Sequence, residues 1–351
     1  MPFLGRFHAW FGLRIEDSTF QYIYRNFDGP LYIIPAKTLY DPALIKSLQM
    51  ELSISPRYFA AHLPLYPILI RAFSFTFGYL KSMILVNFLA TGLLGCFLLF
   101  LLKELKLSQK PLLLTILFLF FPRLLIVRSI GAPESLFILL ILISLYFFEK
   151  EKYLAAGAAG ALSAMVKTPG VLLFAAYGLV FLEKYLKEKK IQWKYMGILL
   201  IPLGFVAVCT LYYFQYGDFL AYFHSGDNIH LVFPYSVFNF QKTWVGTAWL
   251  EDIIFYFFLY LYTIFTLKDI RYRSFFYFSV IFFVAVLFVQ HRDIARYSLP
   301  LWPLSAIAFE RFLTSKKFLI AFMVLLPAIY LYAWNFMAYN VMPISNWLPY
   351  L

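Results

Sequence analysis

Apolar residues run along this chain in long, nearly unbroken blocks, separated by short polar stretches. A helix needs about 20 apolar residues to cross a bilayer, and several blocks reach that length. Lipid cannot satisfy free backbone groups, so the blocks are predicted to be helices, and they lack the alternation of membrane β-strands. The ten predicted spans are 80–102, 111–130, 133–148, 153–167, 169–182, 196–214, 253–267, 275–290, 298–313 and 318–339.

Prolines complicate this division. Several predicted spans are short, and the pairs around Pro133 and Pro169 could instead form bent hairpins. Residues 63–78 are apolar but contain two prolines and Arg71, which favours an interfacial or re-entrant helix over a span. The pattern therefore predicts an all-α, polytopic transmembrane bundle with about ten spans and one interfacial helix.

The lysines and arginines are concentrated in alternate loops. Sixteen of the 30 in the chain fall in five of them, which the positive-inside rule places in the cytoplasm. The opposite side then holds residues 1–79, the long loop 215–252 and the C-terminus. The five cytoplasmic loops are 103–110, 149–152, 183–194, 268–273 and 310–317.

Two regions follow from this topology: residues 1–79, a first exterior loop with the interfacial helix, and residues 80–351, the transmembrane domain. Residues 1–30 contain neither a span nor the hydrophobic core of a signal peptide, yet they are assigned to the exterior. We expect that a first helix is missing before them. Alternatively, they cross together with span 80–102.

Composition supports a multi-pass integral membrane protein. Of the 351 residues, 62% are hydrophobic and 14% charged, whereas soluble domains carry about 25% charged residues. The net charge of +12 reports orientation, because no soluble basic face exists to bind nucleic acid. Cys96 and Cys209 lie in apolar runs, and the five histidines have no metal-ligand spacing. The membrane is the cell membrane in a prokaryote or the endoplasmic reticulum in a eukaryote.

Ionisable residues cluster on the exterior side, where such groups are costly and commonly functional. Their convergence predicts a cavity at that interface. Each also has a plainer interpretation: the arginines and Lys167 could contact lipid headgroups, Glu134 could cap the helix that Pro133 begins, and Asp28 could form a turn. The residues are Asp28, Arg71, Arg123, Arg128, Glu134, Lys167, Arg292, Asp293 and Arg296.

Five segments, taken in order, resemble motifs of the PIG-V-type mannosyltransferases. They are Asn26-Phe27-Asp28-Gly29-Pro30-Leu31-Tyr32, Leu63-Pro64-Leu65-Tyr66-Pro67 with Arg71, Pro133-Glu134-Ser135-Leu136-Phe137, the stretch 155–170 ending in Lys167-Thr168-Pro169-Gly170, and Arg296-Tyr297-Ser298-Leu299-Pro300-Leu301. The chain departs from the family pattern in three ways: the helix before the Asp-Gly motif is absent, His62 and Leu63 replace two aromatic residues, and Lys167 replaces an arginine.

The resemblance implies a GT-C glycosyltransferase. Such enzymes use a polyprenyl-phosphate sugar donor, typically of mannose, and a lipid-linked or glycan acceptor, with the active site on the non-cytoplasmic face. Charge counting places all five motifs on that face independently.

Inverting glycosyl transfer needs one base and a means of stabilising the leaving phosphate. Asp28 is the candidate base. Arg292, Arg296 and Lys167 are candidates for phosphate binding, and the two arginines would share a face if their segment is helical. No cofactor is expected, although Asp28 and Glu134 could share a divalent ion. The supporting residues are Glu134, Arg71, Tyr66, Tyr32 and Tyr297.

Two other classes of function stay open. A lipid or sugar transporter would carry charges at mid-membrane and show inverted repeats, and neither is seen here. A non-catalytic scaffold subunit of a glycosyltransferase complex would tolerate the loss of Asp28.

The topology generates a direct prediction. In a chain with Cys96 and Cys209 changed to serine, we expect Asp227→Cys to react with an impermeant thiol reagent from the exterior, and Lys190→Cys to react only after the membrane is opened. The measurement is labelling of each single-cysteine protein in oriented vesicles. Equal labelling of both from outside would rule out the topology.

Overall fold

The structure, a computed structural model, describes residues 9–10, 13–14, 21–26, 28–51, 54–190, 192–226, 231–239, 241–242 and 250–351. Within these ranges the chain is almost entirely helical, and its only strands are β1 (Ala9–Trp10) and β2 (Leu13–Arg14), a two-residue antiparallel pair. The predicted all-α class is confirmed.

Seventeen α-helices occur in the described ranges. They are α1 (Gln21–Tyr24), α2 (Gly29–Thr38), α3 (Pro42–Ser47), α4 (Leu65–Phe77), α5 (Tyr79–Glu104), α6 (Pro111–Leu119), α7 (Pro122–Val127), α8 (Glu134–Glu149), α9 (Tyr153–Val166), α10 (Leu172–Glu188), α11 (Leu200–Tyr216), α12 (Glu251–Lys268), α13 (Arg273–Leu287), α14 (Ile294–Tyr297), α15 (Trp302–Ala308), α16 (Glu310–Leu313) and α17 (Lys316–Tyr339). Short 3-10 helices cover Pro56–Ala61, Thr168–Val171, Trp193–Leu199, Ser236–Phe238, Leu299–Leu301 and Leu348–Tyr350.

Helical structure occupies each of the ten predicted spans. Four helices in the described ranges are long and apolar enough to cross a membrane, and others are shorter apolar helices. The protein is therefore an integral membrane protein, while the count of about ten spans stays a prediction. The four long helices are Tyr79–Glu104, Thr168–Glu188, Trp193–Tyr216 and Lys316–Tyr339.

Proline explains where one predicted span divides. Residues 111–130 form α6 and α7, with the break at residues 120 and 121. Pro122 lacks the N–H that would continue α6, and it disfavours helical geometry in the residue before it, so α7 starts afresh with Pro122 in its first turn.

The centre of the bundle is α8, most of whose side chains are buried. It packs against α5 and α9, and α9 packs against α11. The contact of α9 with the segment entering α11 is close because it is made by small residues, as is common between membrane helices. A Cβ on Gly157 would lie 1.9 Å from the carbonyl oxygen of Gly197.

A second apolar core joins the N-terminal segment to the bundle. Residues of α2 and α4 pack with Val208 and Tyr212 of α11 and with Met342 and Ile344 near the C-terminus. Arg71 of α4 donates hydrogen bonds to the carbonyl oxygens of Ala36 (3.0 Å) and Lys37 (2.8 Å) at the end of α2. The division at residue 79 and the interfacial position of α4 stay predictions.

The close contact at Gly157 predicts a large difference between two glycine substitutions. Gly157→Ala should lower the free energy of unfolding by about 1–3 kcal/mol, because backbone atoms must move apart. Gly92→Ala in α5 is the matched control: its Cβ would meet nothing within 4 Å, and alanine is the better helix former. Thermal unfolding in detergent measures both. Equal melting temperatures would show that the α9 contact is looser than described.

Candidate active site

A cavity of about 1360 Å³ opens where several helix ends meet. Its charged and ring-bearing polar lining comes from segments distant in the sequence. These residues are Asp28, Tyr32, His62, Arg123, Glu134, Lys167, Tyr222, Asp252, Tyr256, His291, Arg292, Asp293, Arg296, Tyr297 and Tyr332. The apolar lining includes Ile138, Leu172, Phe282, Val286, Trp302 and Phe336, which come from α8, α10, α13, α15 and α17.

Asp28 reaches the cavity from the residue before α2. The Gly-Pro pair after it starts the helix, and the carboxylate makes no capping hydrogen bond to the helix. Its Oδ2 instead accepts a hydrogen bond from Nη1 of Arg296, while Oδ1 has no partner among the described residues. Gly29 allows the start of α2 to lie close to the backbone of Gly131, since a Cβ on Gly29 would come within 3.3 Å of the Gly131 carbonyl oxygen.

Glu134 is the first residue of α8 and is 2% exposed. Its Oε1 accepts hydrogen bonds from Nζ of Lys167 at 2.7 Å and from Nε of Arg296 at 2.7 Å. Together with the Asp28 contact, these bonds make a continuous ion-pair chain, Asp28–Arg296–Glu134–Lys167. Glu134 therefore does more than cap a helix, because its carboxylate binds two side-chain cations.

Arg296 owes its position to the short helix α14. The Asp293 side chain caps this helix by accepting a hydrogen bond from the backbone N–H of Arg296 (3.3 Å). Asp293 also pairs with Nη2 of Arg123 at 2.5 Å, and the Arg123 guanidinium lies over the ring of Phe336. Arg123 therefore binds within the protein, which argues against the plain headgroup interpretation.

The condition for a shared face of Arg292 and Arg296, a helix that includes both residues, is not met. Asp293 caps α14, so the helix begins at Ile294 and Arg292 precedes it. Arg292 is exposed, lines the cavity and makes no ion pair within the described part of the chain. The two arginines differ in environment, since Arg296 is held between two carboxylates.

The remaining candidates divide into two groups. Tyr32 and Tyr297 line the cavity, and burial raises the pKa of both phenols, so both remain hydrogen-bond donors. Tyr66 and Arg71 do not line it: the Tyr66 hydroxyl donates to the carbonyl oxygen of Met83 at 2.8 Å, and Arg71 binds the end of α2. Tyr66 supports the wall through an edge contact of its ring with Tyr32, with centroids 5.1 Å apart.

Sequence reasoning gave no role to His62, which the structure places in the cavity wall. Its ring makes an edge contact with Tyr32, with centroids 4.8 Å apart. Burial lowers the pKa of His62 to about 4; Asp28 opposes this shift, while Arg296 and Lys167 add to it. In the sequence, the only indication of a role for His62 is its position directly before the segment Leu63-Pro64-Leu65-Tyr66-Pro67.

Arg296 occupies the space in which Asp28 and Glu134 would have to share a divalent ion, since its guanidinium bridges the two carboxylates. Within the described residues, no group of three or more histidine, cysteine, aspartate or glutamate side chains could hold a metal. In this arrangement the site offers carboxylates that are paired with cations.

Comparison with known proteins supports the fold. No family model matches the sequence, and a search of curated proteins returned no match. The structure is similar to the crystal structure of ArnT from Cupriavidus metallidurans bound to undecaprenyl phosphate, with a TM-score of 0.58 and 14% identity. The match covers 87% of this chain and 61% of the ArnT chain. The chain thus shares its fold with ArnT and spans about three-fifths of the length of that protein.

The ion-pair chain generates a stability prediction. Glu134→Gln should lower the free energy of unfolding by about 3 kcal/mol, because Lys167 and Arg296 lose a buried counter-charge. The matched control is Glu104→Gln, which breaks an exposed ion pair with Lys150 (2.6 Å) and should have little effect. Thermal unfolding in detergent compares the two. If Glu104→Gln lowered the melting temperature as much as Glu134→Gln, burial of the ion-pair chain would add nothing to its contribution to stability.

Proposed function

We propose that this protein is a membrane glycosyltransferase that moves a sugar from a polyprenyl-phosphate donor to a lipid-linked or glycan acceptor on the non-cytoplasmic face. The observation that carries the proposal is the ion-pair chain Asp28–Arg296–Glu134–Lys167 in a large cavity of a GT-C fold. The resemblance of five segments to PIG-V-type mannosyltransferases favours mannose as the sugar.

Asp28 is the proposed base. Its side chain is 26% exposed and lines the cavity, and its Oδ1 has no protein partner in the described part of the chain. An acceptor hydroxyl would transfer its proton to this carboxylate as its oxygen attacks the anomeric carbon. The bond from that carbon to the phosphate oxygen breaks in the same displacement, and the polyprenyl phosphate leaves with the bonding electrons.

The cations beside Asp28 would stabilise the leaving phosphate. Nη2 of Arg296 has no partner among the described residues, and Lys167 uses one of its three N–H groups on Glu134. Arg292 adds a positive charge without an opposing carboxylate. Arginine and lysine bind phosphate by charge-assisted hydrogen bonds, so these three groups can receive it directly.

The contact between Asp28 and Arg296 couples proton transfer from the acceptor hydroxyl to departure of the phosphate. Before transfer, Arg296 is shared between two carboxylates. When Asp28 takes the proton it becomes neutral, and Arg296 then carries positive charge that is no longer balanced from that side. This change would occur as negative charge grows on the phosphate, which is when a cation is most stabilising.

The apolar lining suits a polyprenyl chain, which is buried best against aliphatic and aromatic side chains. ArnT, which has the same fold, was crystallised with undecaprenyl phosphate. This supports a donor of the same chemical class for the present chain. A donor carried by lipid needs no soluble nucleotide-binding domain.

Loss of the base tests the proposal. Asp28→Asn should lower the transfer rate about 100-fold while the protein stays folded, because the amide cannot take a proton. The assay uses purified protein, labelled polyprenyl-phosphate sugars and total lipid or glycan acceptors. Asp41→Asn is the matched control: Asp41 caps α3 through Ala43 (2.7 Å) and Leu44 (3.3 Å), and asparagine caps equally well.

The outcomes separate the classes of function. Near-normal transfer by Asp28→Asn would remove Asp28 from the mechanism. No transfer by the wild-type protein from any donor would favour a non-catalytic scaffold.

A further inference from the structure

His62 is a polar side chain whose hydrogen-bonding capacity the protein does not use. It is 4% exposed, and its Nδ1 is buried without a hydrogen-bond partner among the described residues. Neither ring nitrogen bonds to another described residue; the ring makes only aromatic contacts, with Tyr32, Tyr58 and Phe59. A buried polar group left in this state is destabilising, so a phenylalanine would fill this position better if packing were its only role.

His62 lies beside the reacting groups. Tyr32, which its ring contacts, is one helical turn after Asp28, so the two lie on the same side of α2. The charges of Asp28, Arg296 and Lys167 all act on the imidazole. The transferred sugar is bonded directly to the donor phosphate, so a group beside both the proposed base and the proposed phosphate ligands faces that sugar.

The imidazole has the right form to bind hydroxyl groups. Because burial holds the pKa of His62 at about 4, the ring is neutral at pH 7, with one nitrogen donating and the other accepting. A neutral imidazole of such low pKa is a poor base. We therefore assign His62 to the binding of hydroxyl groups and not to proton transfer.

A second unused polar atom lies in the same wall. Oε2 of Glu134 is buried and has no partner, whereas Oε1 binds both Lys167 and Arg296. Glu134 therefore presents one acceptor atom beyond those that its cations use. Both residues line the cavity, and both are more than nine-tenths buried.

We propose that His62, assisted by Oε2 of Glu134, binds hydroxyl groups of the transferred sugar and determines which sugar the protein accepts. The proposal rests on the proposed glycosyltransferase function and deepens it by naming a sugar-recognition subsite. A site built to hydrogen-bond a hydroxyl rejects analogues that lack it, because its own polar atoms are then left unpaired.

The test compares selectivity among donors. The panel is polyprenyl-phosphate mannose, its analogues each lacking one sugar hydroxyl, and polyprenyl-phosphate glucose. For wild type, His62→Phe and His62→Gln, kcat/KM is measured for each donor. The ratio of kcat/KM between two donors is independent of the fraction of active protein, so partial misfolding does not distort it. The matched control is His224→Gln, an exposed histidine paired with Asp218 at 2.8 Å.

We expect wild type and His224→Gln to discriminate against one deoxy donor by about tenfold or more. His62→Phe, which keeps an aromatic ring against Tyr32, should lose most of that discrimination at the same hydroxyl. His62→Gln should fall between the two. If the phenylalanine variant does not fold, His62→Gln decides the question by a shifted ratio.

Unchanged ratios in every folded His62 variant would overturn the subsite while leaving the proposed function in place. A wild-type protein that transfers no sugar from any donor would overturn the proposed function and the subsite with it.

Discussion

Burying the Glu134 carboxylate costs several kcal/mol unless cations and hydrogen bonds compensate for its lost hydration, and the fold brings two cations to the same oxygen. Lys167 comes from the end of α9 and Arg296 from α14, and Arg296 in turn reaches Asp28 before α2. Four separate elements are thus held in one arrangement by a single buried anion. The interaction holds Asp28, the proposed base, and Arg296, a proposed phosphate ligand, within hydrogen-bonding distance of each other.

Irregular backbone delivers these side chains to the cavity. Pro30, Pro133 and Pro169 stand at or next to the starts of helical segments, where a missing N–H costs nothing. Lys167 is in extended conformation immediately after α9, and the Asp293 side chain caps the start of α14. Non-helical backbone at such sites is tolerated in membrane proteins where it is buried in protein or lines a cavity. The motif positions are therefore helix ends whose side chains turn inward.

The charges of the cavity serve two purposes. The ion-pair chain is electrically neutral overall, which makes its burial tolerable without substrate. Arg292 carries an additional charge and stays exposed, where water keeps it solvated. His62 and Glu134 are among the cavity-lining residues with a buried polar atom that has no hydrogen-bond partner among the described residues. This division leaves binding capacity for a ligand that brings both a phosphate and hydroxyl groups.

The sequence by itself determined the membrane class, the helical form and the approximate place of the long apolar helical segments, because these depend on local hydrophobicity and on lipid's inability to solvate backbone groups. It also indicated that Asp28, Glu134, Lys167 and Arg296 belong on one side of the membrane. Only the tertiary structure decided which of them touch: the Glu134–Arg296 and Asp28–Arg296 contacts join residues 162 and 268 positions apart. Contacts of that range depend on helix crossings and caps, and the cap at Asp293 also decides that Arg292 lies outside the helix that contains Arg296. Sequence reasoning also assigned no role to His62. Its burial and its lack of a hydrogen-bond partner among the described residues depend on how the cavity wall packs, and they leave no pattern in the sequence.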